Sequence, residues 1–529
     1  MPGWNFATVW SGIAEAVPER DALICGERHV SWGDFADRAA RLASHLHAHG
    51  LRPGDKVAIA MTNTPEYLET FFATLLLGCV PVNVNYRYVT DEVHYVLDDS
   101  DAKVVVHAPD LAGTVRKAAK RIQRPWRPLM LETGAPYEAA IADAPSDGAW
   151  RARPPDGDDL VFLYTGGTTG MPKGVMWRND DLYVALWQMN RPGTEPPDPL
   201  AAAAAGKRVG TALPACPLMH GTGLFIALST LAGAGTVVLV EGAGLDPERI
   251  WRDVERTRVQ VLTIVGDAFA RPLLAALDTT PDRWDLTALR AITSSGVTWS
   301  PETKERMLRH LPDVMLIDSL GASEGMMTRN ASTRGSEIKP ARFAVNEHVN
   351  VLDEQTGRAV KPGSDEVGLV AVSGRIPIGY YNDPEKTAAT FRVYDGVRYS
   401  VPGDYASVDP DGTIRLLGRG SACINTGGEK VYPEEVELAL RKHPSVFDCV
   451  VVGVPDDRFG EAVVALVVVT DGHYVDEEEL EAWSRSKMSG YKKPKRFFFV
   501  PSLERSAAGK ASYRRLRALA ADLVRARPG

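Results

Sequence analysis

The sequence predicts a mixed α/β protein. A large amino-terminal domain, residues 1–419, holds two doubly wound α/β subdomains and a β-barrel-like subdomain, and a small mobile α+β domain follows at 420–529. Three observations carry this expectation. Short β-branched runs alternate with helix-length segments through two similar-sized halves, the pattern of parallel βαβ units. From Val351 to Leu417 the runs become short and β-rich, as in a small barrel. Beyond Gly418-Arg419 helices and strands alternate again over the last hundred or so residues.

The length of 529 residues is three to four domains' worth of chain at roughly 150 residues each. Hydrophobic residues at 44% and charged residues at 24% place it among globular chains. A net charge of −8 argues against a general nucleic-acid binder and leaves room for a locally basic site for an anionic substrate. Cys25, Cys79, Cys216, Cys423 and Cys449 show no CxxC pairing, so reduced thiols and a cytoplasmic location are expected, without a disulfide framework or zinc site. No secretory leader is expected from the first residues. The most apolar stretch, Phe71 to Val84, is too short to span a bilayer and contains Pro81 and Asn83. Peripheral membrane contact stays open for a greasy substrate, and oligomeric state is not legible.

In chain order, a helix is expected over Ser31 to His49, a strand over Lys56 to Met61, and a helix over Pro65 to Leu77, with Thr64 as N-cap and proline in its first turn. Strand Val80 to Val84, helix Asp91 to Asp98 and strand Lys103 to His107 follow. Further strands are expected at Val237 to Val240, Val261 to Val265, Ala291 to Thr293 and Val314 to Ile317, and Asn190 to Arg208 reads as a surface loop. Asp411-Gly412 marks a hairpin turn. The last domain is expected to hold helix Pro433 to Arg441, strands Cys449 to Val454 and Val463 to Val469, helix Glu477 to Lys487, the basic run Lys492 to Arg496, strand Phe497 to Val500 and a basic helix after Lys510.

The chemistry-bearing stretch is Leu163 to Gly174, which follows the apolar run Leu160 to Leu163. It gathers Gly166, Gly167, Gly170 and Gly174 with Thr165, Thr168 and Thr169 around Lys173. Glycines let backbone N–H groups approach an anion, the hydroxyls add donors, and the lysine adds positive charge, so the stretch reads as a polyphosphate loop. It differs from the common P-loop, because Gly170 is followed by Met-Pro-Lys. Other candidates recur in order: Leu213 to Gly223 with His220, Ser294 to Val297 after a strand where open α/β sheets place ligands, Gly321-Ala322-Ser323-Glu324, Gly403-Asp404, Gly418 to Glu437, and Arg505 to Arg515 with Lys510 in a Gly-Lys turn. Asp318-Ser319-Leu320 lacks the setting of a phosphopantetheine-bearing serine, since it ends a buried strand.

Together these elements resemble the adenylate-forming superfamily of acyl-CoA synthetases, luciferases and peptide-synthetase adenylation domains. The resemblance implies ATP, Mg2+ and coenzyme A as cofactor and co-substrates, and a small-molecule carboxylic acid, apolar and possibly bulky, as substrate. It implies that Thr165 to Gly170 and Lys173 hold the β- and γ-phosphates, that Thr165 and Glu324 lie at magnesium, and that Lys510 is catalytic at the α-phosphate. Ser295, Gly296, Asp318, Ser319, Gly321, Ala322 and Ser323 then face the nucleotide, and Asp404 takes the ribose hydroxyls with Arg419. His220, Gly221, Phe225, Phe269 and Trp299 line the acid pocket, Gly427 and Gly428 line the thiol channel, and Ser421 is the hinge. Leu320 stands where the family has an aromatic residue, Ser323 where it has threonine, and Ser421 where it has Asp or Lys. Val265 to Pro272 and Cys423 to Lys430 resemble actinobacterial fatty- and steroid-acyl-CoA synthetases. A ligase loading a carrier protein, a luciferase and a nucleotide-sensing binding protein remain as alternatives.

Overall fold

The computed structural model describes residues 3–527 except 150, 166–170, 192, 199, 202–209, 243, 298, 339–341, 420–421, 427–428, 457–459, 489 and 507–508. The glycine-rich loop 166–170, the expected hinge Ser421, the Gly427-Gly428 pair and much of the expected Asn190 to Arg208 loop therefore lie outside the described residues. Two compact units result. One comprises Met1–Gly167, Met171–Ile338 and Val372–Ser400, and the other Lys339–Ala371 and Val401–Gly529.

The first unit contains two sheets. One has seven strands in the order Gly379–Tyr380, Lys173–Arg178, Leu160–Thr165, Val80–Asn83, Lys56–Ala60, Ala102–His107, Leu129–Glu132. The last five run parallel; at one edge Lys173–Arg178 runs antiparallel to them, and Gly379–Tyr380 antiparallel to it. The other sheet has eight strands, ordered Gly325–Ser332, Met315–Ala322, Ala291–Ser295, Val261–Ile264, Thr211–Pro214, Thr236–Leu239, Asp21–Cys25, Arg28–Ser31. Its six middle strands are parallel, capped by an antiparallel strand at each end.

Local chemistry accounts for the helices between them. Ser31 caps Trp32–Ala48 by accepting the Asp34 N–H at 3.0 Å. Pro65 opens Pro65–Leu76, whose residues are almost all buried, so the apolar stretch 71–84 is a core helix, a Gly78 turn at φ +66° and a buried strand. Among the described residues no helix is long and apolar enough to cross a membrane. The expected strands and helices appear with ends shifted by a few residues. One strand is placed unexpectedly: Asp21–Cys25 lies in the eight-stranded sheet, with Leu23 opposite Val237.

In the second unit, Arg342–Ala344, Thr413–Arg419, Asp404–Val408 and the strand beginning at Gly368 pair antiparallel in that order. Among the described residues the three-residue Arg342–Ala344 is the first strand of this path, in the β-rich subdomain that the sequence predicts. Gly412, at φ +82°, makes the expected Asp-Gly turn. Farther on, Val446–Asp456 and Gly460–Val469 form a long hairpin, with Arg496–Phe499 added parallel to the second strand. Pro433–Leu440 and Glu477–Lys487 cover one face through Val436, Leu440 and Leu480, while Tyr513–Ala526 covers the other through Leu516 and Ala520. Cover on both faces explains the unbroken apolar run Cys449 to Val454. The basic run is neutralised within this unit: Lys492 pairs with Glu435 at 2.7 Å, Lys493 with Glu481, and Arg496 with Glu477 at 3.8 Å.

Candidate active site

The phosphate-loop stretch is the connection of a β-hairpin. Leu160–Thr165 and Lys173–Arg178 pair antiparallel, with Thr165 directly opposite Lys173, so the residues that flank the loop close it at its root. Tyr164, one residue before, is fixed on three sides. Its N–H donates to Asn83 Oδ1 at 2.6 Å, its carbonyl accepts from Asn83 Nδ2 at 2.8 Å, and its hydroxyl donates to Asp99 Oδ2 at 2.6 Å. Burial raises the Asp99 carboxyl pKa, and the Tyr164 hydroxyl opposes that shift.

Lys173 reaches the other sheet through one side chain. Its Nζ stands 5.0 Å from the centroid of the Tyr380 ring, and the Tyr380 hydroxyl donates to Glu324 Oε1 at 2.7 Å. Glu324 belongs to the two-residue turn Ser323-Glu324, which joins Met315–Ala322 to Gly325–Ser332 where Ala322 pairs with Gly325. The buried Trp177 indole adds a second tie, donating to the Ser323 carbonyl at 2.9 Å. Gly325 is packed so closely that a Cβ there would stand 2.5 Å from Val372 Cγ1. Expected residues Lys173, Ser323 and Glu324 are thus brought together by Trp177 and Tyr380, whose roles sequence reasoning missed.

Asp318 and Ser319 lie inside the strand, Ser319 opposite Ser295, and Gly296 follows at φ +85° in the turn after that parallel strand. Asp318 is an ion-pair partner of Lys304, which is fully buried and also stands 5.6 Å from the Trp299 ring. Burial pushes the Asp318 carboxyl pKa upward and Lys304 pulls it back. Opposite Ser319, burial lowers the Arg329 pKa to about 10. Sequence reasoning singled out neither Lys304 nor Arg329.

His220 precedes the helix Gly221–Ala232 and is half-buried. The turn leading to it is held by two buried asparagines. Asn63 accepts the Leu218 N–H at 2.8 Å and donates to the Cys216 carbonyl at 3.1 Å, and Asn83 Nδ2 donates to the Met219 carbonyl at 2.6 Å. Asn83 therefore braces the phosphate hairpin and the His220 turn together. A polar residue inside Val-Pro-Val-Asn-Val was the available signal. A Cβ at Gly221 would lie 3.2 Å from Phe225 and 3.4 Å from Leu163. Phe269 and Trp299 are buried at 6% and 2% exposure in the core cluster with Leu273 and Ile292, whereas Phe225 is partly exposed.

In the second unit, Asp404 and Arg419 are opposite one another across an antiparallel pair. Gly418 has φ +123°, a backbone conformation that favours glycine, and the Glu434 carboxylate packs against it. Lys510 is exposed beyond Gly509, which has φ +68°. Arg505 anchors that loop, donating to the Gly509 carbonyl at 3.2 Å and to both Asp448 oxygens at 2.6 and 2.9 Å. Against the opposing effect of burial, Arg505 holds the Asp448 carboxyl below its ordinary range.

Residues 12–381 match the model of the AMP-binding enzymes, and residues 435–510 match that of the AMP-binding enzyme C-terminal domain. The chain is 40% identical to a 3-oxocholest-4-en-26-oate–CoA ligase of Rhodococcus rhodochrous, covering 96% of this chain and 95% of that protein. It is 39% identical to a medium/long-chain-fatty-acid–CoA/3-oxocholest-4-en-26-oate–CoA ligase of Mycobacterium marinum, with the same coverage. Among solved structures, ATP-bound MatB from Rhodopseudomonas palustris superposes with a TM-score of 0.82 at 27% identity over 98% of this chain and all of that one. An anthranilate CoA ligase with anthranoyl-AMP shares the fold at a TM-score of 0.86, 22% identity and 99% coverage of each chain. With family matches over both parts of its length and a relative 40% identical over nearly the whole of each chain, this chain belongs to the AMP-binding enzyme family.

Proposed function

We propose that the protein is an AMP-forming acyl-CoA synthetase that converts a large apolar carboxylic acid, of fatty-acid or steroid class, to its coenzyme A thioester. The observation that carries this reading is the convergence of Lys173, Tyr380 and Glu324 where the hairpin of one sheet meets the turn of the other. The fatty-acid and steroid-acid CoA ligases among its relatives support the acid class.

The donor set fits magnesium. Among the described residues no three His, Cys, Asp or Glu side chains cluster as a metal cage. One carboxylate beside a phosphate-binding lysine suits a hard cation carried largely by phosphate oxygens. Glu324 and Thr165 would hold it, and the ion supplies charge neutralisation between phosphates. Lys173 binds the β- and γ-phosphates, Asp404 with Arg419 holds the ribose hydroxyls, and Ser295 and Gly296 border the base. The acid carboxylate attacks the α-phosphorus as the bond to pyrophosphate breaks, giving acyl-AMP. Lys510 places positive charge where charge develops in that step, which is the main demand of the reaction. The thiol of coenzyme A then attacks the acyl carbon, AMP leaves, and the Gly427-Gly428 loop lines the thiol's path.

His220, Gly221 and Phe225 form the acid pocket, and each CH2 buried there contributes roughly 0.8 kcal/mol. A long-chain or steroid acid is therefore expected to outrun acetate. None of the five cysteines is in a disulfide and four are buried, in keeping with a reducing, cytoplasmic setting. The test is carboxylate-dependent pyrophosphate release across straight-chain, aromatic and steroid acids, with and without coenzyme A. A higher kcat/KM for acetate than for any larger acid overturns the acid class. Pyrophosphate release without any CoA-dependent thioester would assign the protein to carrier loading.

A further inference from the structure

We propose that Tyr380 is a positioning residue that couples the two anion-handling groups of the site, aiming Glu324 with its hydroxyl and Lys173 with its ring face. The inference rests on the reading of Glu324 as the magnesium carboxylate. A glutamate at the tip of a two-residue turn has three side-chain torsions and little to restrain them. The 2.7 Å hydrogen bond from the Tyr380 hydroxyl to Oε1 selects one orientation while occupying only part of a carboxylate's acceptor capacity. On its other side the ring attracts the Lys173 ammonium at 5.0 Å electrostatically. A ring face takes no proton and leaves the ammonium its full charge for phosphate.

Tyr380 can aim other groups because it is itself immobilised. It pairs with Val175 of the phosphate hairpin, its N–H donates to Thr387 Oγ1 at 2.9 Å, and its ring meets Phe391 at 5.7 Å between centroids. Only 5% of it is exposed. The preceding Gly379 has φ +153°, and a Cβ there would lie 2.6 Å from Thr387 Cγ2, so the chain enters this tyrosine through a position that admits only glycine. The same strand pairing that extends the phosphate hairpin therefore sets the angle of the metal carboxylate.

Outer-sphere partners of a metal ligand are typically worth about 10- to 100-fold in metal affinity. Tyr380→Phe keeps the ring and removes the hydroxyl. Mn2+ binding, followed by electron paramagnetic resonance with a non-hydrolysable ATP analogue, should weaken about tenfold. Affinity for the analogue in EDTA, read by tryptophan fluorescence, should stay within about twofold, because the ring that faces Lys173 remains. Tyr380→Leu removes the ring as well and should weaken metal-free binding too. Glu324→Gln separates the two levels: unchanged Mn2+ binding in that variant overturns the magnesium reading itself. Weakened binding in Glu324→Gln with wild-type binding in Tyr380→Phe overturns the Tyr380 proposal alone. If Tyr380 acts through Glu324, adding Tyr380→Phe to Glu324→Gln should change Mn2+ affinity by less than about twofold, and an independent, additive loss would overturn the coupling. Should Tyr380→Phe lose its cooperative melting transition, Thr387→Val, which frees the Tyr380 N–H, should weaken Mn2+ binding about threefold on the same outer-sphere logic. Wild-type Mn2+ affinity in that variant would overturn the proposal.

Discussion

Lys510 is held by its backbone while its side chain reaches outward. Its carbonyl accepts the Ser506 N–H at 2.9 Å and its N–H donates to Ser506 Oγ at 3.2 Å. Lys510→Ala should leave the loop intact and lower acyl-AMP formation by about 10² to 10³ or more, as loss of a charge-stabilising donor does. Thioester formation from supplied acyl-AMP should persist, and single-turnover assays of the two half-reactions check this. Gly223 makes the opposite kind of demand. A Cβ there would stand 2.5 Å from the Pro217 carbonyl oxygen, so Gly223→Ala must shift the first helical turn after His220. Alanine is otherwise favoured over glycine in a helix by roughly 0.5–1 kcal/mol. Overpacking at about 1–3 kcal/mol wins, and the variant should melt lower, with a raised KM for the acid and an unchanged KM for ATP. At this scale residue type and order along the chain singled out Lys173, Ser323 and Glu324 as candidates. Asn83 and Tyr380 were not singled out, because Asn83 meets its partner Met219 across 136 residues and Tyr380 meets Glu324 across 56.

The loop carrying Lys510 is an element whose stability is set by one fork. Asp448 lies opposite Val468 near the start of the long hairpin, and Arg505 bridges it to the Gly509 carbonyl. A carboxyl whose folded pKa lies below its unfolded value of about 3.9 contributes stability above that value and loses it as pH falls through the folded pKa. Arg505→Ala should cost the second unit about 2 kcal/mol at neutral pH, the worth of a charged hydrogen bond. The gap between wild type and variant should narrow as pH drops from about 4 toward 2, because protonated Asp448 no longer rewards Arg505, leaving the pH-independent bond to the Gly509 carbonyl. Denaturant titrations at several pH values measure it, and a gap that does not narrow in acid would remove Asp448 from this role. Elements themselves were largely legible: the helix over Glu477–Lys487 and the strands at 56, 80 and 261 follow from periodicity and caps that act within a few residues. The hairpin strand Lys173–Arg178 was less so, since it reads as an ordinary run until its partner Leu160–Thr165 is placed beside it.

At the scale of the whole molecule, the proposed function would use the Lys510 loop in one half-reaction and the Gly427-Gly428 loop in the other. We propose Ser421 as the pivot between them. Proline fixes φ near −65°, so Ser421→Pro should hold one arrangement. Pyrophosphate exchange should continue while thioester formation from acyl-AMP falls by on the order of a hundredfold, the scale expected when a hinge gates one step. Equal loss of both half-reactions would indicate misfolding, and full retention of both would move the pivot to Gly420 or beyond.

The sequence by itself determined the α/β class, the succession of helices and strands and the order of the site motifs, because hydrophobic period, caps and glycine-rich turns are local effects. Only the tertiary structure decided which strands become neighbours: Asp21–Cys25 joins Thr236–Leu239 in the second sheet, and Trp177 spans 146 residues to reach Ser323. It also decided what a charge meets. The basic run near Lys492 is a set of ion pairs with helix carboxylates, and Lys304 is buried against Asp318. These outcomes depend on burial and on partners distant along the chain. A single sequence carries no local mark of them, since a lysine looks the same whether water or a carboxylate will solvate it.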